Sequence, residues 1–119
     1  MQKSKPRVVS YAAVPYAPRF AYGDQCQIGP VAGSADGAEM ACGYALFEKA
    51  RIPWTITYDE VLFVVEGELT VHANGEALKA GPKDSIWLPA GTELVYEAER
   101  AVVAYAVHPL TSTPGARKS

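Results

Sequence analysis

The chain has 119 residues, 49% hydrophobic and 20% charged, with a formal net charge of -2; that suffices for one domain with its own core and is too apolar for a disordered segment. Its eleven Lys and Arg are scattered, so no basic stripe marks a nucleic-acid partner. No apolar run long enough for a signal peptide or a membrane span follows the basic start Met1–Arg7, which argues against a membrane partner and makes the cytoplasm the expected location.

Residues 1–22 read as an extended arm. Tyr11, Tyr16, Phe20 and Tyr22 are interleaved with Pro15 and Pro18. Proline cannot donate to a sheet ladder, so the pattern suits an arm or an edge strand and disfavours a central strand. Two readings stay open: an arm laid across a partner barrel in a dimer, or an edge strand of the chain's own sheet. Residues 23–110 form the expected barrel. Cys26 and Cys42, the two cysteines, lack metal-type spacing and read as small buried hydrophobes in neighbouring strands.

Strand patterns follow over residues 40–47, 61–65, 68–72, 85–88, 93–97 and 101–107, where β-branched and aromatic residues alternate with polar ones between Gly, Pro and Asn turns. Asn74-Gly75, between Leu69-Thr70-Val71 and Ala77-Leu78, predicts a hairpin with a type I′ turn, which needs positive φ at both central residues. No segment holds helical periodicity for more than about two turns. Many short strands at close spacing predict an all-β sandwich or barrel. Residues 111–119, Ser, Thr, Pro, Gly and basic residues with no apolar pattern, read as a flexible tail.

The stretch from Pro53-Trp54-Thr55-Ile56-Thr57-Tyr58-Asp59-Glu60 to Glu66-Gly67, and the second from Gly81 and Asp84 to Pro89-Ala90-Gly91, flank the Asn74-Gly75 hairpin. This arrangement resembles the two motifs of the cupin superfamily, whose fold is a double-stranded β-helix, a jelly-roll barrel. Cupin metal sites combine imidazole and carboxylate ligands. Here Trp54 and Ile56 stand where the first two histidines would be, Leu94 stands where the third would be, and Glu60 keeps the carboxylate. The resemblance therefore implies a barrel without the metal site.

Within the superfamily, Pro53-Trp54-Thr55, Tyr58-Asp59-Glu60 and Glu66-Gly67-Glu68-Leu69 look like the cupin domain of the ethanolamine utilisation family EutQ, with Gly43 and Glu48 fitting more loosely. Members of that family share the missing histidines, work alongside a compartment that degrades ethanolamine, and are described as having acetate kinase activity. Enteric members carry a further region before the cupin, where this chain shows a short arm. A role tied to that region is not carried over, and the expectation is a freestanding cytosolic cupin.

Alternation puts Trp54 and Ile56 on one face of a strand, and Leu94 and Tyr96 on one face of a later strand; by the motif correspondence both faces look into the barrel. Glu60 would then sit in an apolar, aromatic cavity, where desolvation disfavours the charged carboxylate unless a partner stabilises it. Glu60 and Tyr58 are the candidate catalytic pair, and Trp54, Ile56, Leu94 and Tyr96 the candidate ligand-binding walls. Glu48 joins them through the family pattern. The bland alternatives stand beside these: Glu60 as a carboxylate bonded to Tyr58, Thr57 or backbone amides, and Trp54 as a plug in the space of the lost metal site.

His72 and His108 read as surface residues, and Gly81-Pro82-Lys83-Asp84-Ser85 lacks the glycine-rich loop and helix that cradle phosphates. Two functions remain: an enzyme acting on a small carboxylate or phosphorylated compound, or a barrel that binds a compact amine or acid without turning it over. No tightly bound cofactor is expected. Magnesium-ATP enters if the chain is a kinase, because magnesium needs only one or two carboxylates besides phosphate oxygens. A homodimer is expected by analogy with other cupins, with no interface assigned.

Overall fold

A computed structural model describes residues 4–18 and 22–110. Eight strands run in chain order: β1 (Ala17–Pro18), β2 (Cys26–Ala32), β3 (Ala41–Thr55), β4 (Asp59–Gly67), β5 (Leu69–Ala73), β6 (Glu76–Ala80), β7 (Ser85–Leu88) and β8 (Glu93–His108). Single 3-10 turns at Tyr11–Ala13 and Ser34–Asp36 interrupt them. The order across the main path is β1-β2-β3-β8-β4-β7, with β5 bridging β8 and β6. This is the all-β jelly roll that the motif spacing implied. Among the described residues no helix is long and apolar enough to cross a membrane.

Two long strands hold the barrel together. β3 and β8 pair antiparallel from Ala41↔Val107 to Thr55↔Glu93. One half of β8 also pairs with β4, Asp59↔His108 to Gly67↔Ala101. Its other half pairs with β5, Thr70↔Glu97 to Ala73↔Leu94. Each long strand therefore serves both sheets, and each must turn its inward face at the corner. In β3 the buried residues are Ala45 and Phe47 before the corner, then Ala50 and Ile52 after it. In β8 they are Leu94, Tyr96 and Ala98, then Ala101 and Val103.

The period of two breaks at Glu48-Lys49 and at Glu99-Arg100, all four exposed and facing each other through the Glu48↔Arg100 register. Lys49 takes a positive φ of 44° there, a strained conformation for a side-chain-bearing residue. Two consecutive outward residues switch the inward parity of a strand, which is how one strand turns from one sheet into the other. The patterns over 93–97 and 101–107 are thus the two halves of one strand, and the pattern over 40–47 is the first half of β3.

The core fills the space between the sheets, with Ile56, Leu69, Val71, Leu88 and Val103 almost fully buried. Each such side chain contributes about 1.5–3 kcal/mol by leaving water. The Asn74-Gly75 turn joins β5 to β6 with φ of 53° and 77°, as a type I′ turn requires. Gly67 ends β4 at φ 77°, and a Cβ there would run into the Arg100 carbonyl.

The N-terminal segment lies on its own barrel. Ala17 and Pro18 pair with Ile28 and Gln27, Val14 is buried, and the Tyr11 ring meets Tyr44 edge-on with centroids 4.8 Å apart. Of the two readings of residues 1–22, the paired residues take the edge-strand form; Phe20 lies outside the described residues. The expected tail 111–119 also lies outside them. Cys26 and Cys42 fall on the neighbouring strands β2 and β3, the first buried and the second half-buried.

Candidate functional site

Among the described residues the barrel interior holds one buried charged side chain, Glu60, 5% exposed at the start of β4. Strand alternation aims it inward between Tyr58 and Leu62, both buried as well. A carboxylate at that depth is stable only with donors around it. The Tyr96 hydroxyl, reaching across from β8, donates to Glu60 Oε1 at 2.8 Å. Tyr96 is fixed in turn by Phe47, whose ring lies 5.6 Å away, and by the Ile52↔Tyr96 register.

Around this pair is a small cavity of about 20 Å³, the size of one water. Its walls are apolar or aromatic: Phe47, Ile52 and Trp54 from β3, Cys26 and Ile28 from β2, and Tyr105 from β8. Trp54 is half-buried, and Tyr22 meets it edge-on at 6.2 Å. A compact organic molecule would have to move a wall residue to enter. What the site offers is a carboxylate acceptor with a phenol beside it, enclosed by rings; that set complements an ammonium or a hydroxyl, the ammonium gaining from the ring faces as well.

Of the residues singled out from the sequence, Glu60, Trp54 and Tyr96 meet at this cavity. Ile56 and Leu94 are buried in the surrounding core and do not line it. Tyr58, 7% exposed, is also a core residue; the donor to Glu60 is Tyr96 on the opposite strand. Glu48 is exposed at the corner of β3, its backbone N–H donating to the Gln25 carbonyl at 3.0 Å, with its side chain outside the cavity. Phe47, Ile52, Cys26 and Tyr105 were not singled out. For Phe47 and Ile52 the signal lay in the alternation of β3 continued past its corner.

The loops carrying the motifs are tied together. Asp59 Oδ1 accepts from the Ala90 N–H at 2.9 Å, and the Gly91 N–H donates to the Ile56 carbonyl at 2.8 Å. The position before Glu60 is therefore structural, closing one motif onto the other. Among the described residues no three His, Cys, Asp or Glu side chains converge as a metal site. Besides Glu60, the cavity lining offers the Cys26 thiol and the hydroxyls of Tyr96 and Tyr105 but no imidazole, so it does not present the imidazole and carboxylate set of a cupin metal site.

His72 is half-buried on the outside of β5, where Nε2 lies 2.6 Å from Glu97 Oε1. Arg51 reaches the other oxygen of Glu97 at 3.3 Å. The His72 hydrogen bond, ahead of the Arg51 charge, holds the Glu97 carboxyl below its ordinary range. This trio is exposed and separate from the cavity. His108 is exposed, as expected.

A family model described as ethanolamine utilisation protein EutQ matches residues 24–111. A protein of Salmonella typhimurium named acetate kinase EutQ is 37% identical over 67 residues, 56% of this chain and 29% of that protein. The Clostridioides difficile protein of the same name is 24% identical over 75 residues, 62% of this chain and 48% of its own length. The chain thus spans about a third to a half of these relatives. Among solved structures, an ethanolamine utilization protein Q from Salmonella typhimurium LT2 superposes with a TM-score of 0.79 at 26% identity, over 87% of this chain and 85% of that one. An RmlC-like cupin from Shewanella frigidimarina gives 0.72 at 17% identity, over 92% and 95%, a likeness of fold alone. With a family model covering most of the barrel and its motifs, the chain belongs to the EutQ family of ethanolamine utilisation proteins, built on an RmlC-like cupin fold.

Proposed function

We propose that this chain is a cytoplasmic EutQ-family cupin whose barrel binds a compact small molecule, with Glu60 and Tyr96 as its polar anchor, in small amine or carboxylate metabolism. The observation that carries the reading is the single buried carboxylate among the described residues, met by a phenol at 2.8 Å and walled by aromatic rings. Buried polar pairs in an otherwise apolar barrel fix the orientation of a guest, while the rings supply contact area. Binding needs Trp54 or a neighbouring wall to shift, so it should perturb indole fluorescence.

A second reading comes from the relatives' names: phosphoryl transfer from magnesium-ATP to acetate. In that reaction an acetate oxygen attacks the γ-phosphorus and ADP leaves, giving acetyl phosphate. Acetate is already ionised near neutral pH, so no general base is required, and the protein's task is to position the two anions and offset their charge. Glu60 would have to act as a magnesium contact, because a bare carboxylate beside acetate repels it. The cavity lining favours binding over transfer, since its described residues include no Lys or Arg.

A coupled assay of ATP-dependent acetyl phosphate formation, run with wild type and Glu60→Gln, tests the choice. No turnover by folded wild type is the expected result and leaves the binding reading. Turnover that vanishes in Glu60→Gln would replace it with a kinase centred on Glu60.

A further inference from the structure

β6 and β7 follow each other in the chain but stand at the free ends of the two sheets. β6 pairs with β5 and β7 with β4, and among the described residues neither has a strand on its other side. Each therefore presents unpaired backbone N–H and C=O groups along one edge, a template for a further strand. The two strands line an open groove of about 730 Å³, with Ala77, Leu78, Lys79 and Ala80 on one side and Lys83 and Ile86 on the other.

Along this seam the barrel leaves core surface uncovered. The register sets Leu78 beside Val71 and Ala80 beside Leu69, and residues opposed in an antiparallel pair share a face. Leu69, Val71 and Ala80 are buried on that face, yet Leu78 is 36% exposed. The rim is basic. Lys79 and Lys83 both line the groove, while the Asp84 carboxylate beside them accepts from the Gly81 N–H at 2.9 Å. Lys83 is held at φ 77°, its N–H donating to the Val64 carbonyl at 2.9 Å. Glycine takes that conformation at less cost, so the turn itself does not call for a lysine.

We infer that the seam takes an extended segment of another protein, in which acidic residues alternate with apolar ones, as an added strand on β6. Main-chain bonds along β6 hold the segment, its apolar side chains cover Leu78, and its carboxylates meet Lys79 and Lys83. Lysine on a free edge discourages pairing with an uncharged strand, so acid in the segment is what admits it. The chain's own ends carry the wrong charge: residues 111–119 contain Arg117 and Lys118 and no acid, and Met1–Arg7 is basic. A second copy joined through β6 would bring its own Lys79 to a seam that already holds two lysines, like charge against like.

Fluorescence anisotropy of the full chain tests this with three labelled peptides: one in which Glu alternates with Val, one in which Lys replaces every Glu, and one with the sequence of residues 111–119. The expected result is saturable binding of the Glu-Val peptide alone, weakening as salt is added. Lys79→Glu and Lys83→Glu should each lower the affinity about tenfold, the loss of one charge-assisted contact. Lys83→Gly, which removes the charge and relaxes the backbone, should weaken binding without lowering the urea midpoint, an effect that a merely structural lysine would not give. No saturable binding of the Glu-Val peptide, equal binding of the Lys-Val peptide, or an affinity indifferent to both lysines overturns the proposal. Binding of the 111–119 peptide instead would give the seam to the chain's own tail, and a mass in light scattering that drops in Lys79→Glu would give it to a second copy; either result overturns the proposal as well.

Discussion

Tyr96 carries a burden out of proportion to one hydroxyl, because its bond reaches a carboxylate inside an apolar barrel. Removing a donor from a buried acceptor costs the acceptor's desolvation as well as the bond, about 1–3 kcal/mol. Tyr96→Phe keeps the ring against Phe47 and is expected to lower stability by that amount; an unchanged urea midpoint would show that Glu60 does not depend on this phenol. At the surface, Glu97 titrates below its ordinary range because His72 and Arg51 hold its charge. A depressed carboxyl stabilises the fold above its unfolded-state pKa and loses that contribution as pH falls through the lower folded-state value. The difference in melting temperature between wild type and Glu97→Gln should therefore be present near neutral pH and vanish in acid. A difference that grows on acidification would contradict the assignment.

Which of these residues could be read from the sequence depended on where they stand. Glu60, Trp54 and Tyr96 lie in or beside the motif positions, so the resemblance to the cupin motifs and strand alternation together mark them. The Tyr58 hydroxyl is nearer in sequence to Glu60 than that of Tyr96, and both side chains are buried, yet it is Tyr96 that donates to the carboxylate. The donor comes from the facing strand, and cross-strand register is invisible without the fold.

At the scale of elements, two glycines with the same backbone conformation make a clean comparison. Gly67 and Gly75 both sit at φ 77°. A Cβ on Gly75 would meet nothing within 4 Å, while one on Gly67 would strike the Arg100 carbonyl. Gly75→Ala should cost about 1 kcal/mol, the strain of a left-handed alanine. Gly67→Ala adds a backbone collision at the junction of β4 and β8 and should cost clearly more, about 3 kcal/mol or above. Equal losses in denaturant unfolding would refute the geometry of that junction. The Asn74-Gly75 hairpin was readable because turn chemistry is local. The corners of β3 and β8 were not, because Glu48-Lys49 and Glu99-Arg100 look like loop residues to any rule that expects a period of two. β2 was hidden for a related reason: Gly29 and Pro30 interrupt its pattern, and the register shifts between Pro30 and Ala32.

For the whole molecule, β3 and β8 passing through both sheets mean that neither sheet can open without breaking strands of the other. One cooperative transition is expected, and the two indoles report it from different places, Trp54 on β3 beside the cavity and Trp87 on β7 at the surface. Fluorescence of Trp54→Phe and Trp87→Phe variants and far-ultraviolet circular dichroism should give coincident midpoints once each variant is compared with itself. Separate midpoints would mean that the barrel opens in halves. The jelly roll itself followed from the resemblance of two motifs and a hairpin, while the proposed guest rests on one carboxylate and one phenol.

The account turns on that pair, and the most direct measurement is a titration of intrinsic fluorescence with ethanolamine and with acetate, in wild type, Glu60→Gln and Tyr96→Phe. The account predicts a saturable change with ethanolamine in wild type, weakened at least tenfold in Glu60→Gln, a loss of about 1.4 kcal/mol, and weakened also in Tyr96→Phe. Saturable binding that is indifferent to both substitutions, or no binding of either compound, would contradict it.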